Sequence, residues 1–304
     1  MLIRVLGSAA GGGFPQWNCS CRNCNGVRTG TVKAQPRTQS SIAVSSDGER
    51  WLLCNASPDL HRQIDAIAVL QPRTGVRHTP IAAVILVDGQ IDHSVGLLLL
   101  REHRARIQVW TTPSVREDLV SGLPLLSVLE HFCGVDWHPV DPGGAPFRVP
   151  ELPDIEITAM PVEGKPGPYS RNRNAPRRGD NVALLFRDVR SGTQALYAPG
   201  LAGVTPEILR SFQASQCVMV DGTFWQEDEM IKAGVSSKRA SELGHLPQKG
   251  PGGMLEALAH TPASRRILIH INNTNPILDE GGPERAELDA AGIEVAVDGM
   301  EIRL

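Results

Sequence analysis

The sequence predicts an α/β fold in which two β-sheets stack face to face and helices cover both outer surfaces, a four-layer αββα sandwich. Three observations predict this fold. Short apolar segments with strand patterns alternate with helical patterns along the 304 residues. The alternation occurs twice, in two β-rich halves, which favours stacked layers over one doubly wound sheet. No low-complexity linker divides the chain, so we expect a single domain over residues 1–304.

Strands are predicted where a short apolar run stops at a turn residue, and helices where apolar residues recur at helical spacing. The predicted strands cover residues 2–6, 41–44, 51–55, 82–87, 107–111, 155–161, 181–187, 194–198, 217–221, 266–271 and 293–297. The predicted helices cover residues 58–69, 93–103, 114–119, 206–213, 252–260 and 283–291. Residues 164–180 show neither pattern and are predicted to form a long irregular loop.

The composition excludes several classes of protein. Hydrophobic residues make up 41% of the chain and charged residues 21%, which is enough for a substantial core and argues against disorder. The net charge of −3 argues against non-specific nucleic-acid binding. No apolar run approaches the ~20 residues that span a bilayer, so we expect no membrane insertion. The amino terminus lacks the pattern of a signal peptide, which predicts a cytoplasmic protein.

Ionisable and polar residues lie at the carboxyl ends of two predicted strands. Directly after the strand at 82–87 come Asp88, Gln90, Asp92 and His93. The apolar strand at 266–271 carries His270 near its carboxyl end. Since α/β folds place their sites at the carboxyl ends of strands, these side chains are candidates for one shared site.

The strand, the Asp88–His93 segment and the helix predicted after it resemble the metallo-β-lactamase superfamily and its HxHxDH sequence. Asp92 and His93 match the last two ligands of that sequence, while Asp88 and Gln90 replace its first two histidines. His270 matches the last histidine ligand of the superfamily. The resemblance implies a metallo-β-lactamase-like αββα sandwich in which one of two metal positions has lost its ligands.

The resemblance leaves Asp92, His93 and His270 as the ligands of the second metal position. Two histidines and one carboxylate are a set suited to mononuclear Fe(II). A binuclear hydrolase needs a ligand that bridges two metals, and Gly200 stands where the superfamily has its bridging aspartate. Hydrolysis is therefore disfavoured. The alternative for Asp92 is a helix cap, and the alternative for His93 is a packed or capping side chain.

A second pair of residues resembles the RNA-processing and phosphodiesterase branches of the superfamily. Asp221 begins the segment DGTFW, and His245 follows Gly244 in a GH pair. The resemblance implies that Asp221 orients His245, which then acts as an acid or base near the metal. With Asp88 and Gln90, these two residues are the predicted catalytic set. The alternative is a strand-end turn beside a surface histidine.

Three cysteines lie within six residues. Cys19, Cys21 and Cys24 supply three thiolates from one short segment, and their softness and spacing suit structural zinc. The remaining cysteines are scattered and are predicted to be core residues. In carbon–phosphorus lyase phosphodiesterases of the superfamily, a similar cysteine segment is completed by a histidine at the position of Asn273. The fourth zinc position is therefore open between Asn273, water and another side chain.

Over nearly its full length the chain resembles the coenzyme PQQ synthesis protein B family. The resemblance is carried, in chain order, by LGSAAGGGFPQWNCSCRNC, NASPDL, QIDHSVGLL, GDNVALLF, VDGTFW and IHINNTNP. It implies a role in the synthesis of pyrroloquinoline quinone (PQQ), which is built from a glutamate and a tyrosine of a small peptide. It also implies hydroxylation of the tyrosine ring with iron and O2, rather than β-lactamase activity. An older proposal for the family is a carrier that moves PQQ or its precursor towards the periplasm.

The loop at 164–180 supplies five cationic side chains, Lys165, Arg171, Arg173, Arg177 and Arg178. They are interpreted either as a solvated basic loop or as a flap that binds carboxylates through arginine forks. The second interpretation fits the ligands that the resemblance implies, a Glu–Tyr-derived precursor or PQQ. Other proteins of the PQQ pathway are possible partners. Two hypotheses remain open, an Fe(II) oxygenase and a non-catalytic carrier.

Overall fold

Two β-sheets form the centre of the molecule, and the computed structural model describes residues 1–304. The strands are β1 (Leu2–Gly7), β2 (Ser41–Ser45), β3 (Trp51–Cys54), β4 (Ile81–Ile85), β5 (Ile107–Thr111), β6 (Val135–Pro139), β7 (Ile155–Pro161), β8 (Val182–Asp188), β9 (Gln194–Ala198), β10 (Cys217–Asp221), β11 (Arg265–Ile269), β12 (Glu294–Val295) and β13 (Glu301–Arg303). The first sheet has the order β13-β1-β2-β3-β4-β5-β6 and the second has the order β12-β11-β10-β9-β8-β7. The first half of the chain therefore builds one sheet and the second half builds the other, except that β13 returns to pair with β1.

Ten α-helices connect or cover the strands. They are α1 (Arg22–Thr29), α2 (Leu60–Ala66), α3 (Ile91–Ser94), α4 (Pro113–Glu117), α5 (Leu125–Leu129), α6 (Pro206–Ala214), α7 (Glu229–Lys232), α8 (Ala240–Leu243), α9 (Met254–Ala259) and α10 (Pro283–Ala290). Thr112 and Thr205 cap α4 and α6, where each hydroxyl accepts a backbone N–H and a proline occupies the first turn. No helix is long and apolar enough to cross a membrane.

The alternation of side chains along each strand produces the layers. Leu52 belongs to the cluster of buried residues between the sheets, while its neighbour Leu53 packs on the outer face with Leu60 of α2. In the second sheet, Met219 faces the first sheet, and Val218 packs outward in the cluster that contains helices α6 and α9. The predicted four-layer αββα order is confirmed. The single domain over residues 1–304 stays a prediction.

Both sheets have a parallel region, and the candidate site is built from it. Strands β3 to β6 run parallel to one another in the first sheet. Strands β9 to β12 do so in the second. Ala9, just after β1, forms bridges to Gln39 and to Ile271, the latter just after β11. The segment after β1 in the first sheet and the segment after β11 in the second sheet therefore lie side by side.

The helix predicted at 93–103 is wrong in type and length. The structure has the short α3 followed by a 3-10 helix at Val95–Leu100. The N–H of Gly96 donates to the carbonyl of Ala56 (2.8 Å) and so leaves the helical hydrogen-bond pattern. A Cβ at Gly96 would lie 2.1 Å from the carbonyl oxygen of Ser57. Close packing against residues 56–57 therefore overrides the helical pattern.

Other differences concern short elements. Helix α1 in the cysteine segment, helices α5, α7 and α8, and strands β6 and β13 were not predicted. The helices predicted at 58–69 and 252–260 are shorter in the structure, where they cover Leu60–Ala66 and Met254–Ala259. The loop at 164–180 contains no helix or strand, as predicted. Helices α5, α7 and α8 were missed because four or five residues are too few to show a periodic pattern.

Candidate metal centre

The segments after β4, β10 and β11 surround one cavity of about 320 Å³. Its walls include most of the residues predicted for the site, namely Asp88, Gln90, Asp92, His93, His245 and His270. Asp221 lies behind the wall and is fully buried. The structure therefore brings together side chains that are up to 182 positions apart in the sequence, from Asp88 to His270.

Asp92, His93 and His270 meet in this cavity. Nε2 of His270 is 3.3 Å from Oδ2 of Asp92, and Nε2 of His93 is 3.8 Å from the same oxygen. Ligand atoms bonded at about 2.1 Å to one ion are roughly 3.0–3.4 Å apart. One donor atom from each residue lies within 4.8 Å of the others, so the three side chains could hold one cation. Their role as metal ligands stays a prediction.

One buried nitrogen in this group has no partner. Nδ1 of His93 donates to the carboxylate of Asp88, whose two oxygens are each 2.9 Å away. In the neutral ring that a metal requires, this bond leaves the lone pair on Nε2, which is buried and makes no hydrogen bond. Buried polar atoms without partners are rare, and an ion at this position would satisfy the nitrogen. The donor set and the free nitrogen both fit a metal.

The electrostatic environment of the cavity favours positive charge. Burial opposes ionisation of His93, but the carboxylates of Asp88 and Asp92 outweigh burial and raise its pKa to about 9. Burial likewise opposes ionisation of Asp92, yet the neighbouring His93 and His270 hold the pKa of its carboxyl below the usual range. Burial lowers the pKa of His270. A cation between these carboxylates is therefore stabilised by the same charges.

Thr223, which the sequence analysis did not single out, connects three of the predicted residues. Its hydroxyl donates to Oδ1 of Asp221 (2.6 Å) and accepts from Nδ1 of His270 (2.8 Å). It also lies 3.1 Å from Nδ1 of His245. The bond from His270 orients the ring so that Nε2 faces Oδ2 of Asp92 at 3.3 Å. The available signal was the position of Thr223, two residues after an acid at a strand end.

The backbone at His270 has an uncommon conformation. His270 immediately follows β11 and has a φ of 61°. Few residues other than glycine adopt positive φ, and such residues cluster at functional sites. The N–H of Ile271 donates to Ser8, and the N–H of Asn272 donates to the carbonyl of Thr223. These two bonds fix the turn that aims the imidazole of His270 into the cavity.

Asp221 and His245 have the geometry that the prediction requires. Nδ1 of His245 donates to Oδ2 of Asp221 (2.7 Å), and the His245 ring stacks on His270 with centroids 5.3 Å apart. Burial opposes ionisation of His245, but Asp221 raises its pKa. Asp221, His245 and His270 could also form a metal-binding group. Because Thr223 and direct hydrogen bonds already satisfy their facing atoms, a metal is not needed there.

The residues at the other metal position of the superfamily have different partners. Asp88 binds His93, and the Nε2 of Gln90 donates to the carbonyl of Lys165 (2.8 Å). Gly200 lines the cavity, so no carboxylate projects from that position. Both Asp88 and Gln90 border the cavity, and their placement around a substrate stays a prediction.

The three clustered cysteines converge as predicted. The sulfurs of Cys19, Cys21 and Cys24 lie within 4.8 Å of one another. Nδ2 of Asn273 is 3.1 Å from the sulfur of Cys19 and 3.3 Å from that of Cys24. Since the two ends of an amide differ only in assignment, a turned Asn273 would present its oxygen to the three sulfurs. The cluster is a candidate zinc site, with Asn273 at the fourth position.

Three cations border the cavity, and one of them was not predicted. Lys165 and Arg173 come from the loop at 164–180, and Lys238 comes from the segment before α8. Arg171 points elsewhere, because its guanidinium pairs with Glu117 at 3.1 Å. Lys238 had no sequence signal, since an isolated lysine in a short loop resembles any solvated surface residue.

Comparison with known proteins agrees with the fold. The family model described as a Beta-lactamase superfamily domain matches residues 50–271. A protein of Cupriavidus necator called coenzyme PQQ synthesis protein B is 55% identical over 302 residues, 99% of each chain. A protein of the same name from Pseudomonas aeruginosa strain PAO1 is 55% identical over 305 residues, 100% of each chain.

The chain belongs to the coenzyme PQQ synthesis protein B family, within the β-lactamase superfamily.

One solved structure gives the same assignment, and a second shares only the fold. The structure of Zn²⁺-bound PqqB from Methylobacterium extorquens covers 100% of both chains at 37% identity, with a TM-score of 0.90. A diphosphatase of the PhnP family has a TM-score of 0.68 at 17% identity and covers 99% of this chain and 96% of its own, which shows the shared fold alone. The predicted metallo-β-lactamase-like fold and the predicted family are both confirmed.

Proposed function

We propose that this chain hydroxylates the tyrosine ring of a Glu–Tyr-derived precursor during the synthesis of PQQ, with iron held by Asp92, His93 and His270. Membership of the coenzyme PQQ synthesis protein B family assigns the chain to PQQ synthesis. The observation that carries the finer proposal is the unpartnered Nε2 of His93, which lies beside the carboxylate of Asp92 and the Nε2 of His270. Two histidines and one carboxylate leave open positions on Fe(II), where the bound metal would activate O2.

The overall reaction balances with an external two-electron reductant. One oxygen atom of O2 enters the ring in place of a hydrogen, and the other leaves as water after taking up two electrons and two protons. A zinc hydrolase lacks an oxidant for this chemistry. The proposal therefore requires iron rather than zinc at the Asp92, His93 and His270 group.

Other residues of the chain orient the two metal-binding histidines, and one residue accepts a proton from the substrate. Asp88 keeps His93 in the tautomer that exposes Nε2, and Thr223 does the same for His270. His245 has its Nδ1 bonded to Asp221, so its Nε2 is the nitrogen available to accept a proton from a phenol in the cavity. Asp221, fully buried, stabilises the imidazolium that results.

The cationic side chains at the cavity fit the charge of the proposed substrate. Arg173 is half-buried and Lys238 is exposed, and both border the cavity. Neither forms an ion pair within the chain, so both are available to bind substrate carboxylates. The same feature supports the second candidate function, a carrier of PQQ or its precursor, because carboxylate binding of this kind does not require a metal.

Single-turnover assays under controlled oxygen test the proposal. The protein is loaded anaerobically with Fe(II), mixed with a Glu–Tyr dipeptide and then exposed to O2 and a reductant. We expect oxygen consumption matched by a product that is 16 mass units heavier, because one oxygen atom is added. His93→Ala should abolish both signals, whereas the exposed histidine variant His131→Ala should retain them.

Two outcomes would count against the enzyme. If His93→Ala consumed oxygen as fast as the unaltered protein, the proposed iron ligands would be wrong. If PQQ bound tightly without any turnover, and removal of the metal left that binding unchanged, the carrier would be favoured. A partnership with other proteins of the pathway and a cytoplasmic location stay predictions.

A further inference from the structure

We infer that a second cavity next to the metal centre binds a carboxylate of the substrate at a distance from the reacting ring. The inference rests on the proposed function, since it assigns a site to one part of the same ligand. The second cavity has a volume of about 510 Å³. It shares four lining residues with the metal cavity, namely Gly164, Lys165, Asn181 and Gly244. A ligand can therefore extend from one cavity into the other.

Lys165 stands at the junction of the two cavities. Its carbonyl accepts the Nε2 of Gln90, which belongs to the Asp88–His93 segment of the metal centre. Its ammonium donates to the carbonyl of Glu242 in α8. A Cβ at Gly244 would lie only 3.0 Å from the backbone nitrogen of Lys165. Gly244 therefore packs closely against the loop at 164–180, and this packing fixes the position of Lys165 between the two cavities.

The second cavity has an excess of positive charge. Arg177 and Arg178 line it together with Lys165, and Glu163 is the one carboxylate among its lining residues. The guanidinium of Arg177 makes no hydrogen bond or ion pair in the chain, and that of Arg178 donates only to the carbonyl of Pro142 (3.2 Å). No carboxylate of the chain neutralises either side chain.

The contrast with Arg171 in the same loop argues against a merely solvated basic segment. Arg171 lies outside both cavities and is neutralised by Glu117 at 3.1 Å. Arg177 and Arg178, which face the second cavity, have no carboxylate partner. Ser241 and Thr205 add hydroxyl groups to its walls. Arginine forks and hydroxyls are groups that bind a carboxylate.

The positive charge of the second cavity favours a ligand in which an acidic residue is attached to the aromatic residue. When the tyrosine ring of the ligand lies at the metal centre, the glutamate carboxylate lies several bonds away. We expect it to enter the second cavity, which Arg177 lines. The second cavity thus discriminates a Glu–Tyr ligand from a ligand in which the glutamate side chain is uncharged. A free tyrosine would leave this cavity without a ligand group.

Calorimetric binding of Glu–Tyr and Gln–Tyr dipeptides, measured anaerobically, tests the inference without any turnover. The unaltered protein should bind Glu–Tyr about tenfold more tightly than Gln–Tyr, a difference of roughly 1.4 kcal/mol. Arg177→Ala should remove this preference by weakening Glu–Tyr alone. Arg171→Ala, matched in residue type and loop, should keep it.

Equal binding of the two dipeptides by the unaltered protein would overturn the inference. An equal effect of Arg177→Ala on both dipeptides, or no binding of either, would overturn it as well. A charge preference that persists while no hydroxylated product forms would instead count against the proposed function alone.

Discussion

The hydroxyl of Thr223 joins the carboxylate of Asp221 to the imidazole of His270, at 2.6 Å from Oδ1 of the first and 2.8 Å from Nδ1 of the second. Thr223 is 2% exposed, so water cannot replace it easily. The buried carboxylate of Asp221 is thereby linked to Nδ1 of His270 through the hydroxyl of Thr223. When an ion takes the place of the proton on Nε2, which lies 3.3 Å from Oδ2 of Asp92, Nδ1 becomes the protonated nitrogen and donates to Thr223.

Thr223→Val should weaken metal binding while leaving the fold intact. Valine keeps the shape of threonine but cannot accept the proton of His270 Nδ1, so the imidazole loses its preferred tautomer and orientation. Loss of such a partner costs about 10–100-fold in metal affinity. Competition with a coloured chelator measures this affinity for Fe(II) and Zn²⁺. Thr223→Ser retains the hydroxyl and should bind metal as the unaltered protein does. Equal affinities in the valine and serine variants would contradict this role.

Removal of a clustered thiol should destabilise the fold far more than removal of a scattered one. Cys24 is buried in the cluster with Cys19 and Cys21, whereas Cys133 is half-buried, packs at the edge of the outer hydrophobic cluster and donates to the carbonyl of Leu100. Cys24→Ser should release bound zinc and lower the melting temperature by several degrees, because a structural zinc contributes to folding. Cys133→Ser serves as the matched control. Zinc content that is unchanged in Cys24→Ser would contradict a zinc site at this cluster.

Glu229 should make the stability of the protein depend on pH. Its carboxylate accepts the N–H of Trp225 (2.6 Å) and the hydroxyl of Thr274 (2.5 Å), which ties α7 to the loop after His270. Burial raises the pKa of Glu229 from 4.5 to about 7. The folded state therefore keeps the carboxyl protonated where the unfolded chain ionises it. The stability gained from this group is fully present below pH 4.5 and is lost as the pH rises to about 7.

Glu229→Gln mimics the protonated carboxyl group and cannot ionise, so its stability should not fall as the pH rises. Between pH 5 and pH 8, urea unfolding should show the variant gaining on the order of 3 kcal/mol relative to the unaltered protein. The exposed acid variant Glu207→Gln should show no such change. A difference in unfolding free energy that is the same at both pH values would contradict the raised pKa.

The sequence predicted the layers and the residues at strand ends because both depend on local patterns. The apolar run before Asp88 and the one that reaches His270 each mark a strand whose carboxyl end borders a site. The partners of these residues depend on tertiary packing. Nothing local indicates that Asp88 binds His93, or that Lys238 reaches the cavity from before α8.

The helix at 93–103 was predicted wrongly for the same reason, because tertiary packing decides the local structure there. Its apolar residues have helical spacing, but Gly96 packs against the backbone of residues 56–57, which are distant in sequence. Thr223 is a similar case, since its importance comes from contacts with Asp221, His245 and His270 rather than from its neighbours in the chain. Local periodicity cannot reveal contacts of this kind.

Anomalous diffraction at the iron edge, from crystals loaded anaerobically with Fe(II), tests the central claim most directly. The account predicts one strong iron peak about 2 Å from Nε2 of His93, Nε2 of His270 and a carboxylate oxygen of Asp92. An iron peak bound elsewhere, or imidazoles of His93 and His270 that bind no ion in iron-loaded protein, would contradict it.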